Sequence, residues 1–146
     1  MEMDTLVEGV HEYRNSFLHV VIDDGARLLY SEWTRQPTRA EYRQAAGIFA
    51  AFLNENGILY WIQDTSVLQE IAATDMRWVL EELIPLADKS CLKKIARITC
   101  NKANIELFKE MVRIAKAEYK LSIEVRQFKS YREAAEWVEG ISDADE

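Results

Sequence analysis

The polar residues best placed for chemistry follow a short apolar run at 58–62, which predicts a central strand of a parallel sheet. In open α/β sheets, ligands bind beyond the carboxyl ends of the strands. The residues expected to converge at that edge are Asp64, Thr65, Ser66, Thr74 and Asp75. They form a candidate interaction site. The alternative is that all five are turn and cap residues that satisfy backbone donors.

A basic stretch forms a second candidate surface. The chain has a net charge of −7 and a pI near 5.0, which argues against general nucleic-acid binding. Residues 91–132 nevertheless hold eleven basic side chains against four acidic ones, a local charge of +7. On the predicted third helix, Lys109/Arg113 and Lys116/Lys120 are like-charged neighbours that repel mildly. They indicate an anionic partner surface, and the alternative is a solvated helix face.

The histidines and cysteines predict neither a metal site nor a catalytic set. His11 and His19 have no Cys or carboxylate at ligand spacing, so His19 is expected to be an ordinary strand residue. Cys91 and Cys100 are too few for a disulfide framework. Cys100 precedes a predicted helix, where a thiolate is favoured, but free cysteines usually pack as small hydrophobes, and we expect that role here.

Motifs for cofactor chemistry are missing from the sequence. The five glycines are scattered, and no Gly-rich phosphate loop joins a strand to a helix. No paired carboxylates and no nucleophile–base set stand out. We therefore expect no cofactor, no metal and no enzymatic activity.

Strand signals begin after residue 15. Residues 1–15 show no clear period and are expected to form a loose lead-in. Two β-rich runs at 17–22 and 27–33 flank Asp23-Asp24-Gly25, which predicts a hairpin because glycine tolerates the positive φ of a tight turn. Residues 94–99 and 122–126 predict further strands.

Helix signals alternate with these strands. The predicted N-terminal caps are the Thr38-x-x-Glu41 and Ser130-x-x-Glu133 capping boxes, Asn101, and either Thr74 or Asp75. Pro85 lies within the second helix pattern and is expected to kink or divide it. The four tryptophans all fit buried positions. The resulting order ββαβαβαβα predicts an α/β fold, with an N-terminal hairpin and a mixed, largely parallel sheet.

The chain is expected to form one domain over residues 16–140, followed by an acidic tail at 141–146. The start of the sequence lacks a basic flank before an apolar core, so no secretory signal is predicted. No apolar run approaches the ~20 residues that span a bilayer. We therefore expect a cytoplasmic protein without membrane insertion.

Several phrases of the sequence resemble the STAS family, whose fold is that of anti-sigma-factor antagonists such as SpoIIAA. More narrowly, they resemble uncharacterised bacterial STAS-like proteins of the Bacteroidetes type. The resemblance covers residues 17–138, and the phrases that carry it are YWIQD at 60–64, WVLEELIP at 78–85, KIAR at 94–97 and FKSYREAAEW at 128–137.

The resemblance implies a SpoIIAA-like fold and a non-enzymatic switch that docks on a kinase or another regulator. Members of the family carry a D-S-[ST]-G motif at a helix start, where a Ser or Thr is phosphorylated. The corresponding stretch here is 72–76, AATDM, which lacks that motif. Thr74 is its hydroxyl residue, and a phosphate there would gain from the helix dipole while Asp75 repelled it.

Two functions follow as hypotheses. The first is a regulatory protein-interaction module that uses the surface around residues 64–75, with an unidentified protein partner or a second copy of the chain. The alternative is a carrier of a small ligand or lipid, with an apolar pocket under the helix after Asp64 and aromatic residues near Tyr60, Trp61 and Trp78. The alternative requires a cavity beyond the central strand ends, whereas a solid core there argues against it.

Overall fold

The computed structural model describes residues 3–55 and 57–140, so the predicted acidic tail at 141–146 lies outside the described residues. The described elements, in chain order, are β1 (Asp4–Val7), β2 (Val10–Arg14), β3 (Leu18–Asp23), β4 (Leu28–Trp33), α1 (Arg39–Glu55), β5 (Tyr60–Asp64), α2 (Ala73–Lys89), β6 (Lys94–Ile98), α3 (Lys102–Tyr119), β7 (Glu124–Phe128) and α4 (Tyr131–Glu139).

The strands form one sheet in which spatial order follows chain order from β1 to β7. Strands β1 to β4 pair antiparallel, and β4 to β7 pair parallel. Each parallel pair is joined by one helix, as crossover connections require. The predicted α/β architecture, with a hairpin before the parallel strands, is confirmed.

The expectation of a loose lead-in was wrong, because residues 4–14 form the hairpin β1–β2 at the edge of the sheet. Gly9, with φ of 81°, supplies the turn between the two strands. Every residue of β1 is exposed and β2 is only half-buried, so neither strand carries the apolar alternation of a buried strand. Backbone pairing of β2 with β3 holds the hairpin, and composition does not reveal such pairing.

The β3–β4 hairpin is confirmed, but its positive φ does not fall on Gly25. Arg27 has a φ of 53° and bonds through its Nε to the carbonyl oxygen of Gly57, 2.9 Å away. Gly57 itself has a φ of 59°, a left-handed conformation that is common for a glycine just beyond the end of a helix. The hydrogen bond from Arg27 therefore connects the β3–β4 turn to the residues that follow α1, and an arginine rather than a glycine adopts the positive φ.

Helices cover both faces of the parallel part of the sheet. One apolar cluster joins the sheet to α1, α2 and α3, and a second joins the opposite face to α4. Trp61 and Ile62 point to opposite faces, and their exposures of 4% and 1% confirm a strand that is covered on both sides.

The helix caps agree with the sequence at three of four positions. The Thr38–Glu41 capping box forms in full, Ser130 accepts a hydrogen bond from the backbone of Glu133, and Asn101 accepts one from the backbone of Asn104. The prediction for α2 was wrong: the helix begins at Ala73, its N-cap is Ala72, and no side chain caps it. Pro85 lies inside α2 without dividing it. Within the described residues, no helix is long and apolar enough to cross a membrane.

Candidate functional site

A row of polar side chains crosses the sheet beneath α1, α2 and α3. Parallel register pairs Ser31 with Gln63, Gln63 with Arg97, and Arg97 with Gln127, on four successive strands. Ser31 is fully buried and accepts a hydrogen bond from Nε1 of Trp61 at 2.9 Å. This row lies on a face that is otherwise apolar.

Arg97 is the buried cation of this row, with only 2% of its surface exposed. Its Nη1 donates to Oε1 of Gln127 at 3.0 Å, and its guanidinium lies 4.3 Å from the ring centre of Phe108. Among residues 3–55 and 57–140, no carboxylate forms an ion pair with it. Burial lowers the pKa of Arg97 to about 10, so the group stays charged at neutral pH.

Arg97 borders a cavity of about 80 Å³ between the sheet and the three helices. The cavity walls are largely aromatic and aliphatic, and polar groups enter at few points. The lining residues from the sheet and its following loop are Trp33, Trp61, Gln63, Thr65, Leu68, Ile95 and Arg97, and those from the helices are Tyr42, Phe49, Met76, Val79, Leu80, Leu83, Ile84, Ala87 and Phe108.

Tyr42 brings a hydroxyl to the same cavity from α1. Burial raises the pKa of Tyr42 to about 12, with Arg97 acting in the opposite direction, so the phenol stays protonated at neutral pH. Its hydroxyl forms no hydrogen bond within the described part of the chain. Within residues 3–55 and 57–140, Tyr42 is therefore a hydrogen-bond donor without a partner, and it lines the same cavity as a cation that has no counter-ion there.

A groove on the surface between α2 and α3 shares two wall residues with this cavity. The groove has a volume of about 310 Å³, and Leu80 and Ile84 line both spaces. Met111, Ala115 and Tyr119 of α3 form part of its opposite wall. The cavity and the groove therefore adjoin at these two side chains of α2.

A cluster of three charged groups joins α1 to α2 above the cavity. The carboxylate of Asp75 accepts from Nε of Arg39 at 2.7 Å and from Nε of Arg43 at 2.9 Å. Both arginines lower the pKa of Asp75, the Arg39 hydrogen bond most strongly. Arg43 also lies over the ring of Trp78 at 5.2 Å. Asp75, which was expected to cap α2, instead links α2 to α1 through its ion pairs with Arg39 and Arg43, an arrangement that we call the α1–α2 clasp.

No protein-family model matches the chain. No curated protein matches it at a significant level either. Among solved structures, it resembles an uncharacterised protein of the DUF3478 family with a SpoIIAA-like fold, from Shewanella loihica PV-4. The two chains are 16% identical with a TM-score of 0.51, and the match covers 88% of this chain and 91% of that one.

The chain has a SpoIIAA-like fold. The sequence resemblance to that fold is thereby confirmed. At this level of identity the likeness extends to architecture alone, because one fold hosts many functions. The site must therefore be judged from its own side chains.

On the SpoIIAA-like fold, the five residues expected to form one site occupy different settings. Asp64 accepts hydrogen bonds from the backbone and the hydroxyl of Ser66, which closes a local turn. Thr65 is buried, donates to the carbonyl oxygen of Ile98 at 2.7 Å and borders the cavity. Thr74 is exposed on the first turn of α2, whereas Asp75 is buried in the clasp.

The proposed basic surface lies on the outer side of α3. Lys109, Arg113, Lys116 and Lys120 are all exposed. Arg113 pairs with Glu110 one turn earlier, with Nε and Oε2 separated by 3.0 Å. This geometry fits both the anionic-partner surface and the solvated face, so the surface stays a prediction.

Other sequence expectations change in the SpoIIAA-like fold. His19 lies between two carboxylates, 2.7 Å from Glu12 and 3.0 Å from Glu32. In the described ranges, no group of three His, Cys, Asp or Glu residues is arranged to hold a metal ion. Cys100 is exposed, so the expected packing role was wrong. Trp78, on the surface of α2, is 38% exposed rather than buried. The guanidinium of Arg43, on α1, lies over its ring.

Sequence reasoning missed Arg97, because its neighbours place it within an ordinary strand pattern. The available signal was an arginine between Ala96 and Ile98, in a strand predicted to lie between others in the sheet. Charged side chains are almost never fully buried unless they are paired. An arginine in such a strand is therefore a candidate site residue on sequence grounds alone.

Proposed function

We propose that this protein binds a small apolar molecule in the cavity beneath α1 and α2, and that binding rather than catalysis is its function. The cavity next to Arg97 carries this proposal. The carrier hypothesis requires an apolar pocket under the helix after Asp64, and the regulatory module requires none. The cavity therefore favours the carrier hypothesis.

The energetics of packing support a functional reason for the cavity. Protein interiors are close-packed, and voids larger than a water molecule are few. An apolar space of about 80 Å³ that side chains do not fill costs ~2 kcal/mol in lost packing. Larger side chains at Ala87 or Val79 would reduce that cost. Their small size keeps the space open.

The cavity dimensions limit the ligand. An engineered apolar cavity of about 150 Å³ holds one benzene molecule. The inner space of about 80 Å³ is smaller and accommodates one end of a ligand. The groove of about 310 Å³ accommodates the rest. The expected ligand is therefore narrow and elongated, such as a short acyl chain or a substituted aromatic ring.

The side chains around the cavity support binding without catalysis. Two of the lining residues, Tyr42 and Arg97, have pKa values of about 12 and about 10. Both groups hold their protons at neutral pH, so neither serves there as a general base. Hydrogen bonding and charge are the chemistry that these two residues supply.

Tryptophan fluorescence tests the proposal directly, since Trp33 and Trp61 line the cavity. Linear alcohols from butan-1-ol to decan-1-ol are titrated into the protein, and saturable quenching or a spectral shift is expected. Ala87→Leu fills the cavity and should weaken binding at least severalfold. Ala135→Leu, the same change on α4 at the opposite face, should leave it unaltered. No saturable response to any alcohol, confirmed by calorimetry, overturns the proposal.

A second candidate is the regulatory protein-interaction module, with a cytoplasmic partner or a second copy of the chain. The SpoIIAA-like fold supports it, and so does the exposure of Thr74 and Trp78 on successive turns of α2. Affinity purification from the native cell, with wild type and Trp78→Ala side by side, tests this candidate. A partner that binds both equally, or no partner at all, argues against α2 as the docking surface.

A further inference from the structure

We infer that the ligand of the cavity is an amphipathic carboxylate, whose acid group pairs with Arg97 while its apolar body follows the cavity and the α2–α3 groove. This inference rests on the proposed binding function and specifies the ligand class. It starts from a cation that the described residues leave without a counter-ion.

A buried guanidinium normally has a carboxylate partner, since removing a charge from water is costly unless an opposite charge replaces the lost hydration. Arg97 has 2% of its surface exposed, and its contacts are one neutral amide, on Gln127, and one aromatic face, on Phe108. Neither contact carries a negative charge. An anionic ligand supplies the missing partner.

Arg97 and Tyr42 both border the cavity and have N–H and O–H donors that no described residue uses. Arg97 commits Nη1 to Gln127, while its Nε and Nη2 form no hydrogen bond to any described residue. An arginine fork binds a carboxylate through two parallel hydrogen bonds. The protonated hydroxyl of Tyr42 lines the same cavity as a further donor. A carboxylate has acceptor capacity for all of these donors.

The surroundings favour one negative charge over two. Among the described residues that line the inner cavity, Arg97 is the one cation, and its neighbours there are mainly apolar. A phosphate carries a charge of about −1.5 to −2 at neutral pH, so one arginine would leave part of that charge buried and unpaired. A monoanionic carboxylate balances the site, and its apolar body would pass Leu80 and Ile84, which line both the cavity and the groove.

Paired ligands of equal length test the inference. Octanoate and octan-1-ol are titrated calorimetrically into wild type at neutral pH, and octanoate should bind about tenfold or more tightly because it adds charged hydrogen bonds. Arg97→Met should abolish this preference while octan-1-ol still binds. Arg126→Met is the matched control, because Arg126 is exposed on β7 and faces α4, and it should keep the preference.

The outcomes separate the inference from the proposed function. If octan-1-ol and octanoate bind wild type equally, the carboxylate assignment is overturned and the apolar site stands. If neither binds, nor do their shorter and longer homologues, the proposed function fails as well. The comparison of octanoate with octan-1-ol in wild type needs no variant. If Arg97→Met fails to fold, Arg97→Lys takes its place. This variant keeps the charge without the fork, and its preference for octanoate should be intermediate.

Discussion

The guanidinium of Arg97 lies over the ring of Phe108, 4.3 Å from its centre. The face of an aromatic ring attracts a cation, and this attraction strengthens when water is excluded. Phe108 therefore offsets part of the cost of burying the charge. The ring contact uses none of the N–H donors of Arg97 as conventional hydrogen bonds, so those not bonded to Gln127 remain available to the cavity.

Replacing Arg97 by methionine is expected to stabilise the protein in the absence of ligand. Apolar residues of similar volume in place of buried charges often raise stability, here by about 1–3 kcal/mol. Chemical denaturation of wild type and Arg97→Met measures the difference, and Arg126→Met should change stability by less than about 0.5 kcal/mol. A large loss of stability in Arg97→Met would show that the arginine is structural.

Removing the charge of Asp75 is expected to loosen the α1–α2 clasp. Asp75→Asn loses charged hydrogen bonds to Arg39 and Arg43, and the exposure of both arginines limits the cost to about 1–2 kcal/mol. Asp88→Asn, an exposed position on the same helix, is the control. Urea denaturation checks both variants, and equal stabilities would contradict a stabilising clasp.

Acid should destabilise the protein through Glu41. Arg35 and the backbone of Thr38 lower the pKa of Glu41 from 4.5 to about 2. A carboxyl group with a lowered folded-state pKa stabilises the fold above its unfolded pKa, and this contribution disappears as the pH falls through the folded value. Wild type should thus be more stable than Glu41→Gln at pH 7, and the two should converge between pH 4.5 and about 2.

The matched control for that experiment is Glu133→Gln, which alters the other capping box. Within the described ranges, Glu133 has no arginine ion pair. The difference in stability between wild type and Glu133→Gln should therefore change less with pH, between pH 4.5 and about 2, than the difference for Glu41→Gln. Parallel pH curves for Glu41→Gln and wild type would exclude the Arg35–Glu41 pair as the cause.

Two glycines should respond in opposite directions to alanine. Gly57 has a φ of 59°, and an added Cβ would lie 3.0 Å from the Arg27 side chain, so Gly57→Ala should cost about 1–2 kcal/mol. Gly47 lies exposed within α1 with open space around it, and Gly47→Ala should add about 0.5–1 kcal/mol. Thermal unfolding of both variants measures the two effects, and the same sign for both would contradict this account.

Both thiols should react in the folded protein. Cys91 and Cys100 are exposed, so a thiol reagent should label two equivalents without denaturant. Cys91→Ser and Cys100→Ser should each leave one reactive equivalent. Labelling that requires denaturant would mean that the cysteines pack inside.

The amino-acid sequence determined the features that depend on near neighbours in the chain. Thr38 and Ser130 cap their helices because each hydroxyl reaches the backbone amide of the glutamate three residues later. The β3–β4 hairpin and the alternation of strands with helices follow from equally local patterns. These local signals predicted the α/β order from β3 to α4 and missed the β1–β2 hairpin, while the SpoIIAA-like fold followed from the resemblance of longer phrases to the STAS family.

Only the tertiary structure decided the site. Gln63, Arg97 and Gln127 are about thirty residues apart in sequence, and the parallel register alone brings them to one level of the sheet. Whether Asp75 caps its own helix or clasps another depended on how α1 packs beside α2. Burial of Arg97 likewise depends on three helices meeting over one strand. Such contacts between distant segments leave no pattern in the residues that flank each partner. The sequence could mark Arg97 as an arginine within a strand, but the folded structure was needed to reveal the cavity and the lack of a counter-ion among the described residues.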